Sequence, residues 1–147
     1  MVITPETPST ESVTHFCALF QPLTADGLPA LAECYSDDVD FTDPLHHHVG
    51  RDDLMAYYAK LMEGVQHCHF DFHTRQSVDD TSFLTWTMQL AHPRLRNGRN
   101  VTVAGCSHLQ WRGQRVCRHR DYFDVGAMLY EHLPVMGWMV RGVKKRL

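Results

Sequence analysis

Helices come first in this chain and strands follow. That order predicts an α+β domain: a cone-shaped, curved and mainly antiparallel sheet wrapped around three N-terminal helices, with a cavity and a short C-terminal helix. Two patterns and one bound support it. Apolar residues recur at helical spacing over residues 10–65. Residues 66–124 hold four segments with β-branched and aromatic residues, separated by Gly, Pro and Asn. The 147 residues suit one domain with its own core.

Residues 1–9, with Pro5 and Pro8, read as a flexible lead-in to a single domain over 10–147. Val13, Phe16, Cys17 and Phe20 fall at i, i+3, i+4, i+7 and predict a helix over about 10–22. Thr24 to Gly27 is a turn, and Pro29 suits the first turn of a short helix running to Tyr35. Val39 to Thr42 predicts a short strand that Pro44 ends. Leu54, Tyr57, Tyr58, Leu61, Met62 and Val65 form one apolar stripe on a helix from Asp52 to Gly64. Strands are predicted over 66–76, 81–91, 100–111 and 115–124. Asn97-Gly98 and Arg112-Gly113-Gln114 supply the hairpin turns between the last three. A helical turn over 127–132, a break at Pro134 and a helix over 137–146 close the chain.

Composition excludes several classes. Hydrophobic content of 44% and charged content of 21% are ordinary for a globular protein. A formal net charge of -3 gives no electrostatic reason for nucleic acid as a partner. Cys17, Cys34, Cys68, Cys106 and Cys117 are odd in number, widely spaced and without C-x-x-C, which fits a reducing, cytoplasmic setting. Met1 to Ser12 lacks the features of a signal peptide. No apolar run has membrane-spanning length, so no membrane partner is expected.

The richest stretch chemically is Arg118 to Asp124. Strand alternation puts Cys117, His119, Asp121 and Phe123 on one face and Arg118, Arg120 and Tyr122 on the other. A face with a histidine and a carboxylate beside Cys and Phe resembles the wall of an apolar pocket with a few polar groups. His119 and Asp121, about 7 Å apart at i, i+2, would grip one ligand rather than each other. The alternative is a structural pair with Arg118 or Arg120. Asp43, before Pro44, is either a general base at a pocket mouth or the acceptor of an Asx-turn. His67, His69, Asp71 and His73 also alternate on one face, and His46-His47-His48 lies in the loop after Asp43. His-x-His on a strand suits a metal, but no E-x-x-H or H-E-x-x-H supports one, so neither a metal nor another cofactor is predicted. Trp86, Met88, Tyr57, Tyr58, Phe16 and Trp111 occupy core-like positions, with the Trp86 N–H and the tyrosine hydroxyls as polar handles. Ser107 follows Gly105-Cys106 without a nucleophile elbow, so serine hydrolysis has no support.

Four segments together resemble the nuclear transport factor 2-like superfamily, in its SnoaL-like and ketosteroid-isomerase-like branch. They are Cys34–Pro44, Val49–Tyr58, Ser107–Trp111 and His119–Asp124, in order within residues 10–125. The resemblance implies a cone-shaped α+β fold with a deep cavity, often dimeric through the open sheet face. It matches Asp43 to the general base of ketosteroid isomerases. It places that family's oxyanion-hole tyrosine near Phe16 and its protonated aspartic acid at Ser107, so both strong donors are replaced. Losing one such donor typically costs ~10²–10³ in rate, so ketosteroid isomerase activity itself is not implied. The Arg-x-Asp of limonene-epoxide-hydrolase-like members is missing from Val101–Trp111. SnoaL-like cyclases use a late aspartate as acid/base, and Asp121 and Asp124 both remain open for that role. The expectation is a homodimeric cavity protein for a small apolar or cyclic ligand, or a cofactor-independent isomerase or cyclase. Asp43 as base, with His119 and Asp121 as its partners, would be catalytic, and Phe16, Tyr58, Trp86, Ser107 and Phe123 would line the site. The alternative is a non-catalytic ligand-binding or dimerisation module.

Overall fold

A computed structural model describes residues 7–94, 98–128, 139 and 141–146. The predicted Asn97 turn residue, most of the helical turn over 127–132 and the Pro134 break lie outside the described residues; within the predicted final helix, residues 139 and 141–144 are helical. Helix α1 spans Thr10–Ala18, with Ser9 Oγ accepting from the Ser12 amide. It stops short of the predicted 22 because Pro22 has no amide hydrogen and restricts the residue before it. Phe20 still reaches the core, 5% exposed. A 3-10 turn at Ala25–Gly27, capped by Thr24, leads into α2, Leu28–Glu33.

Strand β1 spans Tyr35–Thr42, four residues longer at its start than the sequence suggests. Tyr35 is therefore a strand residue rather than a helix end, and it is fully buried. Its position comes from parallel pairing with the distant β6, Arg115–Phe123, a contact no local pattern signals. The loop expected at His46–His48 contains a short strand, β2, His47–Val49, which turns back antiparallel onto β1. Helix α3, Arg51–Met62, starts after Gly50, whose φ of +94° is open to glycine and costly for most residues. Leu54 and Tyr58 are buried as its stripe predicts, but Leu61, 43% exposed, lies outside it.

Strands β3, His67–Val78, β4, Thr81–Ala91, and β5, Val101–Arg112, form an antiparallel meander with β6. The sheet order is β2-β1-β6-β5-β4-β3, mixed only at the β1/β6 pair. A four-residue helix, α4, Val125–Met128, follows. The helices and the inner face of the sheet share one core, with Phe16, Leu31, Tyr35, Phe41, Leu54, Leu84 and Leu109 at its centre. Among the described residues no helix is long and apolar enough to cross a membrane.

The alternation expected along β6 is interrupted. Gln110 pairs with Arg118 but Trp111 pairs with Val116, so Cys117 is an extra residue. Val116 and His119 are both buried, three apart, which unbroken alternation forbids. Cys117 thus leaves the His119 face, and its thiol donates to the Gln110 carbonyl at 3.4 Å. Beyond the bulge, His119, Asp121 and Phe123 point inward while Arg118, Arg120 and Tyr122 are exposed, as expected.

All five cysteines are free. Burial pushes the thiols of Cys17 and Cys34 up to about 11 and that of Cys68 to about 12, and it raises Cys106 and Cys117 as well. Raised thiols hold their protons more tightly folded than unfolded. Their contribution is complete below the unfolded value near 9 and is lost as pH climbs toward 11 and 12. Urea unfolding midpoints should therefore hold constant near pH 8 and fall progressively above pH 9, and alanine at Cys68 should flatten that fall.

Candidate functional site

The inner face of the sheet stacks side chains in cross-strand rows. One row is Phe72, Trp86, Gly105 and Phe123. The next is Leu84, Ser107 and Asp121, and beyond it lie Leu109, His119 and Phe41. Ser107, Asp121 and His119 occupy three adjacent positions in this wall, and Ser82, buried opposite Leu109, accepts from the Trp111 indole.

Ser107, Asp121 and His119 form one hydrogen-bonded chain with their neighbours. Trp86 Nε1–H donates to Ser107 Oγ at 2.9 Å. An indole N–H can only donate, so the Ser107 hydroxyl spends its own hydrogen on Asp121 Oδ1, 2.5 Å away. His119 Nε2 lies 2.7 Å from the same oxygen. His119 Nδ1 is 2.8 Å from the Tyr35 hydroxyl, which is 3.1 Å from the Tyr58 hydroxyl. Six residues from β1, α3, β4, β5 and β6 thus join around one carboxylate oxygen. The other oxygen, Asp121 Oδ2, has no hydrogen-bond partner among the described residues. The Asp121 side chain keeps 17% exposure, against 2% for His119.

The direct His119–Asp121 contact corrects the spacing estimate. Cβ atoms two residues apart on a strand are distant, but the imidazole reaches along the strand through Nε2 and closes the gap. Neither arginine competes: Arg118 is exposed, and the Arg120 guanidinium stacks over the Tyr122 ring on the outer face, 5.1 Å from its centroid. Asp124 is exposed and pairs with Lys144 at 2.8 Å, outside the cluster. Burial drives the Tyr35 and Tyr58 phenols well above their usual range, and the Asp121 charge adds to both.

Asp43 sits apart. Its Oδ1 accepts the amides of Leu45 and His46 at 2.8 and 2.7 Å, an Asx-turn joining β1 to β2. Its Oδ2 accepts from the Tyr57 hydroxyl at 2.5 Å. Burial and this contact with Asp43 hold the Tyr57 phenol protonated. The Phe41 ring lies between the two carboxylate clusters, 4.9 Å from the His119 ring and 5.6 Å from the Tyr57 ring, centroid to centroid. The fold thus brings together His119, Asp121, Ser107, Trp86 and Tyr58, and holds Asp43 in a neighbouring turn. Phe16, 1% exposed, packs edge-on against His119 and Tyr35.

The aromatic wall continues from Trp86 to Phe70 at 4.8 Å, Phe123 at 6.4 Å, and from Phe70 to Phe20 at 5.3 Å. Phe70, Phe72, Asp121 and Phe123 lie on the inner face yet stay partly exposed. A separate groove of about 240 Å³ between Pro22–Ala25 and Met62–Cys68 touches none of these polar groups. His69 and Asp71 pair at 3.2 Å, and His73 meets the Thr87 hydroxyl. Among the described residues no group of three or more His, Cys, Asp or Glu converges to hold a metal ion.

Sequence reasoning found both ends of the central dyad but not Tyr35, which looked like the last residue of a helix. Only its pairing with β6, some eighty positions away, aims its hydroxyl at His119.

A family model described as a SnoaL-like domain matches residues 13–119. No curated protein matches the sequence. Among solved structures, a Catenulispora acidiphila protein with a ketosteroid isomerase-like fold, in complex with trimethylamine, superposes with a TM-score of 0.74 at 16% identity, covering 88% of this chain and 98% of that one. A candidate polyketide cyclase from Xanthomonas campestris gives 0.71 at 13% identity, covering 82% and 93%. An LEH-like epoxide hydrolase from M. tuberculosis gives 0.68 at 17% identity, covering 90% and 94%. At these identities the likeness is one of fold.

Proposed function

This chain belongs to the SnoaL-like domain family, and from that premise we propose that it is a cofactor-independent proton-transfer catalyst of the isomerase or cyclase type. Its substrate is a compact apolar or cyclic molecule held in a cavity against Trp86, Phe123 and Tyr58. Asp121 is the acid/base and His119 its partner. One observation carries the reading: Ser107 and His119 both meet the carboxylate at Oδ1, and Oδ2 has no hydrogen-bond partner among the described residues. A carboxylate so placed can take a proton from a bound carbon or oxygen acid without rearranging its supports. Asp43 is the secondary carboxylate of this reading, acting through Tyr57 at the neighbouring turn. The candidate cyclase and the trimethylamine complex among the structural neighbours are consistent with small ligands in this fold. Self-association belongs to the outer sheet face, where Phe83 and Tyr122 are about half exposed.

A second reading, ligand binding without turnover, is favoured by Phe16, which brings no hydroxyl to the place where the resemblance puts an oxyanion donor. A turnover screen of cyclic enones, epoxides and polyketide-like esters with the wild type, Asp121→Asn and Asp43→Asn separates the two. Turnover by the wild type that is lost in Asp121→Asn supports catalysis. Saturable binding with no turnover supports the second reading, and turnover unchanged in both variants removes the acid/base assignment.

A further inference from the structure

We propose that Tyr35, backed by Tyr58, is a positioning residue that fixes His119 as the neutral, Nε2-protonated tautomer, so that His119 always donates to Asp121 and never competes for the incoming proton. The inference rests on the acid/base reading of Asp121 but is tested without turnover.

The hydrogens can be counted from the Trp86 end. Trp86 donates to Ser107, so Ser107 donates to Asp121 Oδ1. That oxygen is already an acceptor, and the shortest consistent partner for it across 2.7 Å is an N–H on His119 Nε2. The state of Nδ1 then depends on Tyr35 alone, since its hydroxyl is the only group bonded to that nitrogen among the described residues. Burial keeps the Tyr35 phenol protonated, so it has a hydrogen to give. If Tyr35 gives that hydrogen to Nδ1, its oxygen is free to accept from Tyr58, whose phenol burial also keeps protonated. The chain then runs one way, Tyr58 to Tyr35 to His119 to Asp121.

The surroundings favour the neutral ring. His119 is packed by Phe16 from α1, by Phe41 and Tyr35 from β1, and by Leu109 opposite it on β5; the charged group it meets is Asp121 on its own strand. A buried imidazolium there would gain one carboxylate but lose the hydration of a full charge. Asp121 already has Ser107 as a second donor, so its anionic form does not require a cation beside it. Fixing a tautomer through the far ring nitrogen is a general use of second hydrogen bonds to histidine.

The chain carries 11 histidines, so His119 is assigned in a 15N-histidine nuclear magnetic resonance spectrum by the signals that vanish in His119→Gln. In the free wild-type protein at pH 7 the expected pattern is one protonated nitrogen, Nε2, and one lone-pair nitrogen, Nδ1, pulled upfield by its hydrogen bond. Tyr35→Phe keeps the ring packing and removes the donor. Its Nδ1 signal should move downfield or the ring should populate a second tautomer, and Tyr58→Phe should move it less in the same direction. Thermal unfolding of each variant checks that the fold is kept. Protonation of both ring nitrogens in the wild type would overturn the proposal, and so would ring nitrogens that ignore Tyr35→Phe. Failure to find any turnover leaves these signals readable, so the two readings fail separately.

Discussion

Asp121→Asn is expected to lower turnover by ~10²–10⁴ while leaving the fold intact. Asparagine is nearly isosteric with aspartate, and its carbonyl oxygen can take the place of Oδ1, accepting from Ser107 and His119. The change falls on the other atom. Oδ2 becomes an NH2 group, a donor where the acid/base reading needs an acceptor. Unfolding midpoints should therefore shift little, and the loss should appear in kcat more than in KM, because the group acts on the proton in the transition state. Asp43→Asn gives the opposite balance. Its Oδ1 closes the β1–β2 turn and its Oδ2 takes the Tyr57 hydrogen, so the variant should lose stability and only a smaller share of turnover.

The second large effect lies at Gly105→Ala. Gly105 faces Trp86 across the β4/β5 pair, and a Cβ there would fall inside the indole ring's van der Waals envelope. Trp86 is 3% exposed and flanked by Phe70, so it has little room to retreat. Moving it also breaks the donation to Ser107 that orients the serine hydroxyl toward Asp121. Overpacking typically costs ~1–3 kcal/mol and a lost buried hydrogen bond ~0.5–1.5 kcal/mol, so roughly 2–4 kcal/mol of destabilisation is expected. Denaturant unfolding together with near-ultraviolet circular dichroism of the tryptophans measures it. A loss below about 0.5 kcal/mol would mean that the Trp86 wall is softer than its burial implies.

How much of this was legible in the residues depends on the range of the interaction. The meander was readable because each hairpin is local: alternation plus Gly113 places β5 and β6, and the order of elements carries the fold class. The inward face of β6 was legible from His119 on, but the bulge that expels Cys117 was not, since nothing in Arg115–Cys117 marks an extra residue. Asp43 carried both of its possible meanings in one Asp-Pro dipeptide, and the amides that hold it come from Leu45 and His46, two and three residues later. The convergence of Trp86, Ser107, Asp121, His119, Tyr35 and Tyr58 was not legible, because it depends on register across four strands and a helix. The single parallel pair, β1 with β6, decides it: that pair seats Phe41 beside His119 and brings Tyr35 within reach of Nδ1.

Proton transfer by Asp121 is tested most directly by hydrogen exchange, which needs no knowledge of the complete reaction. A panel of cyclic ketones and enones with acidic C–H bonds is incubated with the protein in D2O, and deuterium uptake at carbon is followed by mass spectrometry. The wild type should accelerate uptake in at least one member of the panel, and Asp121→Asn, folded to the same stability, should return it to the uncatalysed rate. Uptake by Asp121→Asn at the wild-type rate would contradict the assignment of Asp121 as the acid/base.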